Sequence, residues 1–129
     1  MKQLATDSTV TEALLDKVMA LRWQDGPPDL PLLIKQSLLD WLGVSIAAAA
    51  DPQVQVLREE LEEQGGHPQA FVFGSPKRLP TQQAALLNGT ISHLLDYDDV
   101  NLTLPGHCTA PILPAVLALA ERDGATGQR

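Results

Sequence analysis

The sequence predicts an all-α fold, a helical bundle of about five helices with one short β-hairpin. Three observations support this prediction. Apolar residues recur at three- and four-residue spacing in several segments, residues that favour helix starts precede those segments, and aromatic side chains make up only 4% of the chain. Leucine, valine and alanine therefore dominate the core, which favours helix packing. The 129 residues suit a single domain, and the chain contains no internal repeat.

Two helices are predicted in the first fifty residues. The motif Thr9-Val-Thr-Glu12 has the pattern of a capping box, so the first helix begins there and should end near Trp23. The second helix opens at Asp29 or Leu30, with Pro31 in its first turn. Its apolar stripe at helical spacing comprises Ile34, Leu38, Leu42 and Ile46.

A third helix is predicted between residues 52 and 64. Asp51 followed by Pro52 is typical of an N-cap and a first helical position, and the glycine pair at residues 65–66 ends the helix. Residues 58–63 are predicted to form a solvated face, in which Arg58 and Glu62 can pair one helical turn apart.

The predicted hairpin follows this third helix. Residues 69–73 have the composition of a short strand, residues 74–76 that of a turn, and residues 77–79 could return as the second strand. Because a lone hairpin is only marginally stable, it must pack against the helices.

The last two predicted helices flank a polar loop. Thr81 is expected to cap a fourth helix that runs from about residue 82 to residue 95, and residues 96–106 form the loop. Thr109 is expected to cap the fifth helix, which has Pro111 in its first turn and ends at Gly124.

The overall charge excludes several classes of partner. A net charge of −7 argues against nucleic acid and against an anionic membrane surface, since both need clustered Lys and Arg. The longest apolar run, residues 41–50, is too short to span a bilayer. One cysteine permits no internal disulfide, and the N-terminus has no signal-peptide core, so we expect a cytoplasmic protein.

The most informative segment is Asn88-Gly-Thr-Ile-Ser-His-Leu-Leu-Asp-Tyr-Asp-Asp99, with His107 eight residues further on. It places three carboxylates, two imidazoles, a phenol and an amide between apolar flanks. Buried carboxylates are costly unless they are paired. Closely spaced carboxylates and a histidine near a helix N-terminus are suited to general acid/base chemistry, which we assign to Asp96 and His107.

Other interpretations of these residues remain open. Asp98 and Asp99 could cap a turn, and His93 could pack in the core. His67 lies between glycine and proline in a loop, which favours a structural role. Cys108 could act as a nucleophile beside His107. A divalent metal bound by Asp96, Asp98, Asp99 and His107 is the competing class of site, although their spacing fits no familiar calcium or zinc motif, so no metal is predicted.

These residues resemble the MmgE/PrpD family. The likeness is carried by Asn88-Gly89, His93, the run Asp96-Tyr-Asp-Asp99 and a histidine that opens an apolar helix. Further likenesses occur in order along the chain: Asp40-Trp-Leu-Gly-Val44, Phe71-Val-Phe-Gly74, residues 81–87, residues 113–121 and Gly124-Ala-Thr-Gly127. The chain departs from the family pattern at Val100, where threonine is frequent, and at Cys108, where proline is usual.

The resemblance implies a cofactor-free lyase that dehydrates or decarboxylates small polycarboxylates, as 2-methylcitrate dehydratase and cis-aconitate decarboxylase do. It implies that Asp96 and His107 line the active site. We predict His93, Asp99, Val100 and Cys108 as substrate-binding residues. No cofactor and no metal are expected, and a homodimer is the expected assembly.

Family members are roughly three times longer, and lysines and a histidine from their later sequence complete the pocket. Residues 1–129 are therefore expected to be the N-terminal portion of a larger helical domain, carrying half a site. The alternatives are a decarboxylase or isomerase of the same family, or an inactive helical interaction module.

Overall fold

Five α-helices form in the part of the chain that the computed structural model describes, residues 9–103 and 105–127. They are α1 (Val10–Ala20), α2 (Leu30–Ala48), α3 (Pro52–Gln64), α4 (Thr81–His93) and α5 (Thr109–Asp123). The predicted all-α class and the number of helices are confirmed. The chain divides into two compact units, one ending at Leu33 and the other beginning at Ile34.

In the first unit, α1 begins where the capping box was predicted. The Glu12 backbone N–H donates to the Thr9 hydroxyl at 3.2 Å, and the Thr9 backbone N–H donates to the Glu12 carboxylate at 2.7 Å. The helix ends at Ala20, earlier than predicted, because Trp23–Asp25 forms a separate 3₁₀ turn. The Asp25 carboxylate closes that turn by accepting from the Arg22 backbone N–H at 3.0 Å.

The core of the second unit is built around α4, which packs against both α3 and α5. Ala84, Leu87 and Ile91 recur at helical spacing on α4 and are fully buried. Gly89 lies on the side of α4 that faces α5, and a Cβ atom there would come within 3.4 Å of the Ala110 carbonyl. The small glycine thus lets the two helices approach closely. Trp41 of α2 packs edge-on against Phe73, with ring centroids 5.0 Å apart.

The described residues contain no β-strand, so the predicted β-hairpin is wrong. Residues 69–79 keep a single antiparallel bridge, in which the backbone N–H groups of Ala70 and Leu79 each donate to the other residue's carbonyl at 3.0 Å. Side chains of α4 and α5 instead accept hydrogen bonds from two other backbone N–H groups of this segment. Asn88 accepts from the Phe73 N–H, and Glu121 accepts from the Phe71 N–H, both at 3.0 Å.

Arg58 does not lie on a solvated face. It is buried, and its guanidinium donates to the Phe73 carbonyl at 2.9 Å and to the Ala49 carbonyl at 3.2 Å. Its predicted partner, Glu62, instead pairs with Lys77 at 2.5 Å. The buried guanidinium therefore ties α3 to the irregular segment that precedes α4.

Helix α2 is long and apolar enough to cross a membrane, judged by length and composition alone. The core helix of a soluble protein meets the same criterion. Four residues of α2 are buried in the protein: Trp41, Val44, Ser45 and Ala48. The predicted lack of a membrane partner, like the cytoplasmic location, stays a prediction.

Candidate functional site

The site begins where α4 ends. His93 is the last helical residue, and the Asp96 backbone N–H donates to the His93 carbonyl at 3.0 Å. Asp96 has a positive φ of 53°, a left-handed conformation that aspartate tolerates better than most residues. This reversal directs the chain back toward α5, so that residues 96–99 lie beside the start of that helix.

Asp98 is the buried carboxylate of the site, with a side chain only 3% exposed. One of its oxygens lies 3.0 Å from His93 Nδ1 and 3.1 Å from His107 Nδ1. The contact with His93 has hydrogen-bond geometry, whereas His107 Nδ1 is buried without a hydrogen-bond partner among the described residues. The two imidazole rings lie 4.6 Å apart between centroids. Asp98 therefore brings two histidines together that are fourteen residues apart in the sequence.

Asp96 approaches the other side of the same imidazole. Its carboxylate lies 3.5 Å from His107 Nε2. The Asp96 side chain is 79% exposed, and that of His107 is 26% exposed. His107 thus lies between two carboxylates, a buried one at Nδ1 and an exposed one at Nε2. The structure brings together the two residues that the sequence predicted to be catalytic.

Both residues line an open groove of about 940 Å³ between α4 and α5. Its polar end is formed by His93, Asp96 and His107. The rest of the lining is small or apolar: Ala85, Leu86, Gly89, Thr90, Leu94, Ala110, Pro111 and Ala115. Neither lysine nor arginine is among the described lining residues. The groove can therefore hold a small molecule next to titratable groups.

The predicted substrate-binding residues do not all line this groove. His93 does, whereas Asp99, Val100 and Cys108 are not part of its lining. The Asp99 carboxylate accepts from the Thr109 N–H at 3.2 Å and from the Thr109 hydroxyl at 2.7 Å, so it caps α5 from the loop. Cys108, predicted earlier as a possible nucleophile, lines a smaller apolar groove between α2 and α5. Their contact with substrate stays a prediction.

The N-terminus of α5 therefore differs slightly from the prediction. Thr109 is the first helical residue and Cys108 is the N-cap residue, but Cys108 makes no side-chain capping bond. The capping acceptor comes from Asp99, ten residues earlier. Because Asp99 is next to Asp98 in the chain, the same loop caps the helix and holds the buried carboxylate in place.

Sequence reasoning missed the central position of Asp98, for which it favoured the capping of a turn. His93 and Asp98 are five residues apart, a spacing that does not place two side chains on one helix face. They meet only because α4 ends between them. The available signal was the apolar flanking sequence, since a carboxylate buried among such residues needs partners.

Three side chains of the site have the chemistry of a metal-ligand set. His93, Asp98 and His107 each offer one ligand atom, and these atoms lie within 4.8 Å of one another. This set differs from the metal interpretation drawn from the sequence, because Asp96 and Asp99 do not belong to it and His93 does. His67 lies in the segment before α4, outside this group.

Comparison with known proteins identifies a family and a relative. The model of the MmgE/PrpD N-terminal domain matches residues 12–129. A cis-aconitate decarboxylase-like protein of Aspergillus oryzae is 30% identical over 120 residues, which is 90% of this chain and 25% of the relative. The chain thus spans about a quarter of the length of that curated relative.

Proposed function

The chain belongs to the MmgE/PrpD family, and from this membership we propose that it forms the N-terminal part of a cofactor-free lyase. The proposed substrates are small polycarboxylates, and the proposed reaction is a dehydration like that of 2-methylcitrate dehydratase. The alternative within the family is decarboxylation, which the similarity to the cis-aconitate decarboxylase-like protein of Aspergillus oryzae favours.

The contact between Asp96 and His107 supports this proposal most directly. The Asp96 carboxylate and His107 Nε2 are 3.5 Å apart, and both residues line one open groove. A carboxylate and an imidazole this close can act together as a general acid and a general base. The buried Asp98 carboxylate lies 3.1 Å from the other ring nitrogen and positions the imidazole.

In the proposed dehydration, one member of the Asp96–His107 pair removes a proton from a carbon next to a substrate carboxylate. The electron pair of that C–H bond forms the new C=C bond, and the C–O bond on the neighbouring carbon breaks. The other member of the pair delivers a proton to the departing hydroxyl, which leaves as water. In the decarboxylation, the C–C bond breaks instead, carbon dioxide leaves, and the carbon that keeps the electron pair takes up a proton.

The charge of the groove determines which further residues the proposed reaction requires. Asp96 lines the groove and the buried Asp98 lies next to His93 and His107, whereas neither lysine nor arginine is among the described lining residues. A polycarboxylate in this groove would be repelled unless lysine or arginine side chains come from another segment or another subunit. We therefore propose that this chain carries the acid/base half of the site, and that the carboxylate-binding half lies elsewhere in the active protein.

A second candidate function is that of a helical interaction module without chemistry. It is favoured by large apolar side chains that stay exposed on α2 and α5, such as Leu39, Ile46 and Ile112. Exposed apolar patches often mark surfaces that bind another protein. On this hypothesis, Asp98 and the two histidines would serve only to fasten the loop between α4 and α5.

The test is an assay of the longest polypeptide that contains this segment, with 2-methylcitrate and cis-aconitate as separate substrates. Formation of an unsaturated tricarboxylate from 2-methylcitrate supports the dehydratase. Release of carbon dioxide from cis-aconitate supports the decarboxylase. If neither compound is turned over by a folded protein that includes the later segments, the interaction module becomes the better description.

A further inference from the structure

We propose that His93, Asp98 and His107 form a binding site for one divalent transition-metal ion of the zinc type. The site is composed of two imidazole nitrogens and one carboxylate oxygen, a ligand set that zinc accepts. It goes beyond the acid/base function proposed above, because the binding itself does not depend on any reaction.

The distances fit a shared ion. Zinc binds nitrogen and oxygen at about 2.0–2.2 Å, so neighbouring ligands of a tetrahedral ion lie about 3.3 Å apart. The Asp98 carboxylate oxygen lies 3.0 Å from His93 Nδ1 and 3.1 Å from His107 Nδ1. The three ligand atoms lie within 4.8 Å of one another. The half-exposed His93 ring has room to rotate and close the remaining separation.

The orientation of His107 supports the same conclusion. Its Nδ1 atom is buried and makes no hydrogen bond within the described part of the chain, although Asp98 is near. Buried polar atoms of this kind need a partner, and a bound ion is one that would satisfy it. The other ring nitrogen, Nε2, faces the Asp96 carboxylate at 3.5 Å. A metal-bound histidine commonly donates its second N–H to such a carboxylate.

Burial and access also suit an ion. Asp98 is held inside the protein, with a side chain only 3% exposed, so its charge is poorly solvated and gains from a cation. His93 and His107 line the open groove between α4 and α5, which gives the ion a path from solvent. The fourth position of a tetrahedral ion would remain for water or a ligand.

Ion binding and the proposed reaction use the same imidazole. An ion on His107 Nδ1 leaves Nε2 protonated and unable to accept a further proton. This consequence, which rests on the proposed function, makes zinc an inhibitor of turnover. We measure zinc binding to the chain separately from inhibition of the enzyme. The proposal of the metal site can therefore fail without the proposed function, and the reverse also holds.

The experiment titrates the chelator-treated 129-residue chain with Zn²⁺ in competition with a chromophoric chelator. We expect one ion per chain. Asp98→Asn and His93→Ala should each weaken binding by about 100-fold or more, and Asp96→Asn by about 10-fold. Circular dichroism checks that each variant keeps its helices, and His93→Ala serves where the buried Asp98→Asn variant fails to fold.

Two matched controls distinguish this site from adventitious binding. His67→Ala removes a histidine outside the cluster, and Cys108→Ser removes the cysteine that follows His107 in the sequence. Both should leave the zinc affinity unchanged. No saturable binding, or binding that is unchanged in both Asp98→Asn and His93→Ala, would overturn the proposal, as would a loss of binding in either control.

Discussion

At the scale of single residues, the site depends on where one carboxylate is buried. Asp98 lies inside the protein beside two imidazoles, whereas Asp96, two residues earlier, is largely exposed. A buried carboxylate is costly unless neighbouring groups compensate for the lost solvation. The two aspartates therefore have different tasks, Asp98 to position the histidines and Asp96 to face the groove.

The first prediction concerns catalysis. In an active polypeptide that contains this segment, Asp96→Asn and His107→Ala should each lower kcat by about 100-fold or more, because each removes one member of the acid/base pair. His67→Ala, in the segment before α4, should leave kcat unchanged. Steady-state kinetics on folded variants measure this. Full activity of Asp96→Asn would rule out its assignment.

The second prediction concerns metal dependence. Activity of such a polypeptide should survive treatment with EDTA, because the proposed proton transfers use only Asp96 and His107. Added Zn²⁺ should lower the activity, and EDTA should restore it. Activity that is lost with EDTA and returns with one divalent ion would instead assign the metal a catalytic role.

At the scale of elements, polar side chains of helices replace the missing β-strand bonds. Asn88 of α4 accepts from the Phe73 N–H at 3.0 Å and donates to the Phe71 carbonyl at 2.8 Å. Its amide thus offers the donor and the acceptor that a neighbouring strand would have supplied. At the N-terminus of α5, the Asp99 carboxylate supplies an acceptor for the Thr109 N–H. Side-chain bonds to backbone groups therefore fix the segment before α4 and the start of α5.

The third prediction follows for Asn88. Asn88→Ala should lower the free energy of unfolding by about 2–3 kcal/mol, because it leaves the buried Phe73 N–H without an acceptor. Gln82→Ala, which removes an exposed amide from the same helix, is the matched control and should be nearly neutral. Urea denaturation followed by circular dichroism gives both values. Equal effects of the two substitutions would contradict the proposed role of the amide.

The fourth prediction separates capping from substrate binding at Asp99. Asp99→Ala removes the acceptor for the Thr109 N–H and should cost about 1 kcal/mol of stability. Asp99→Asn keeps one oxygen as acceptor and should cost less. Thermal unfolding of the two variants tests this order. A large rise in KM with unchanged stability would favour the substrate-binding role predicted from the sequence.

At the scale of the whole molecule, large apolar side chains remain exposed on the second unit. They occur on α2 and α5, and comprise Leu39, Leu42, Ile46, Ile112, Val116 and Leu119. A groove of about 310 Å³ between these helices has a mainly apolar lining. Helices with apolar residues on several sides need to be covered. We therefore propose that these faces pack against further protein in the active assembly, in which a homodimer remains the expected state.

The fifth prediction concerns the 129-residue chain by itself. It should be helical, bind a hydrophobic dye, and form a dimer, a larger oligomer or an aggregate, because the exposed apolar surface favours association. Ile112→Glu should weaken association, whereas Gln82→Glu should not. Analytical ultracentrifugation measures the mass. A compact, stable monomer without dye binding would contradict this argument.

The same chain should not turn over 2-methylcitrate or cis-aconitate, since neither lysine nor arginine is among the described residues that line its groove. Turnover by a monomer of this chain would show that the groove binds polycarboxylates without help from another segment. It would also refute the assignment of only half a site to this chain.

The sequence by itself determined the helices, because their signals are local. Three such signals act within one helical turn: the capping box at Thr9, the Asp51-Pro52 start and the glycine after Gln64. Helices α1, α2 and α3 start where the sequence predicted, and α3 also ends there. The sequence also identified Asp96 and His107 as a pair.

Tertiary structure alone decided the absence of the hairpin, the burial of Arg58 and the central place of Asp98. These depend on partners that are distant in the chain, such as Asn88 for Phe73 and His107 for Asp98. A backbone or charged group bonds to whichever partner the packing places at hydrogen-bond distance. The local sequence does not specify that partner.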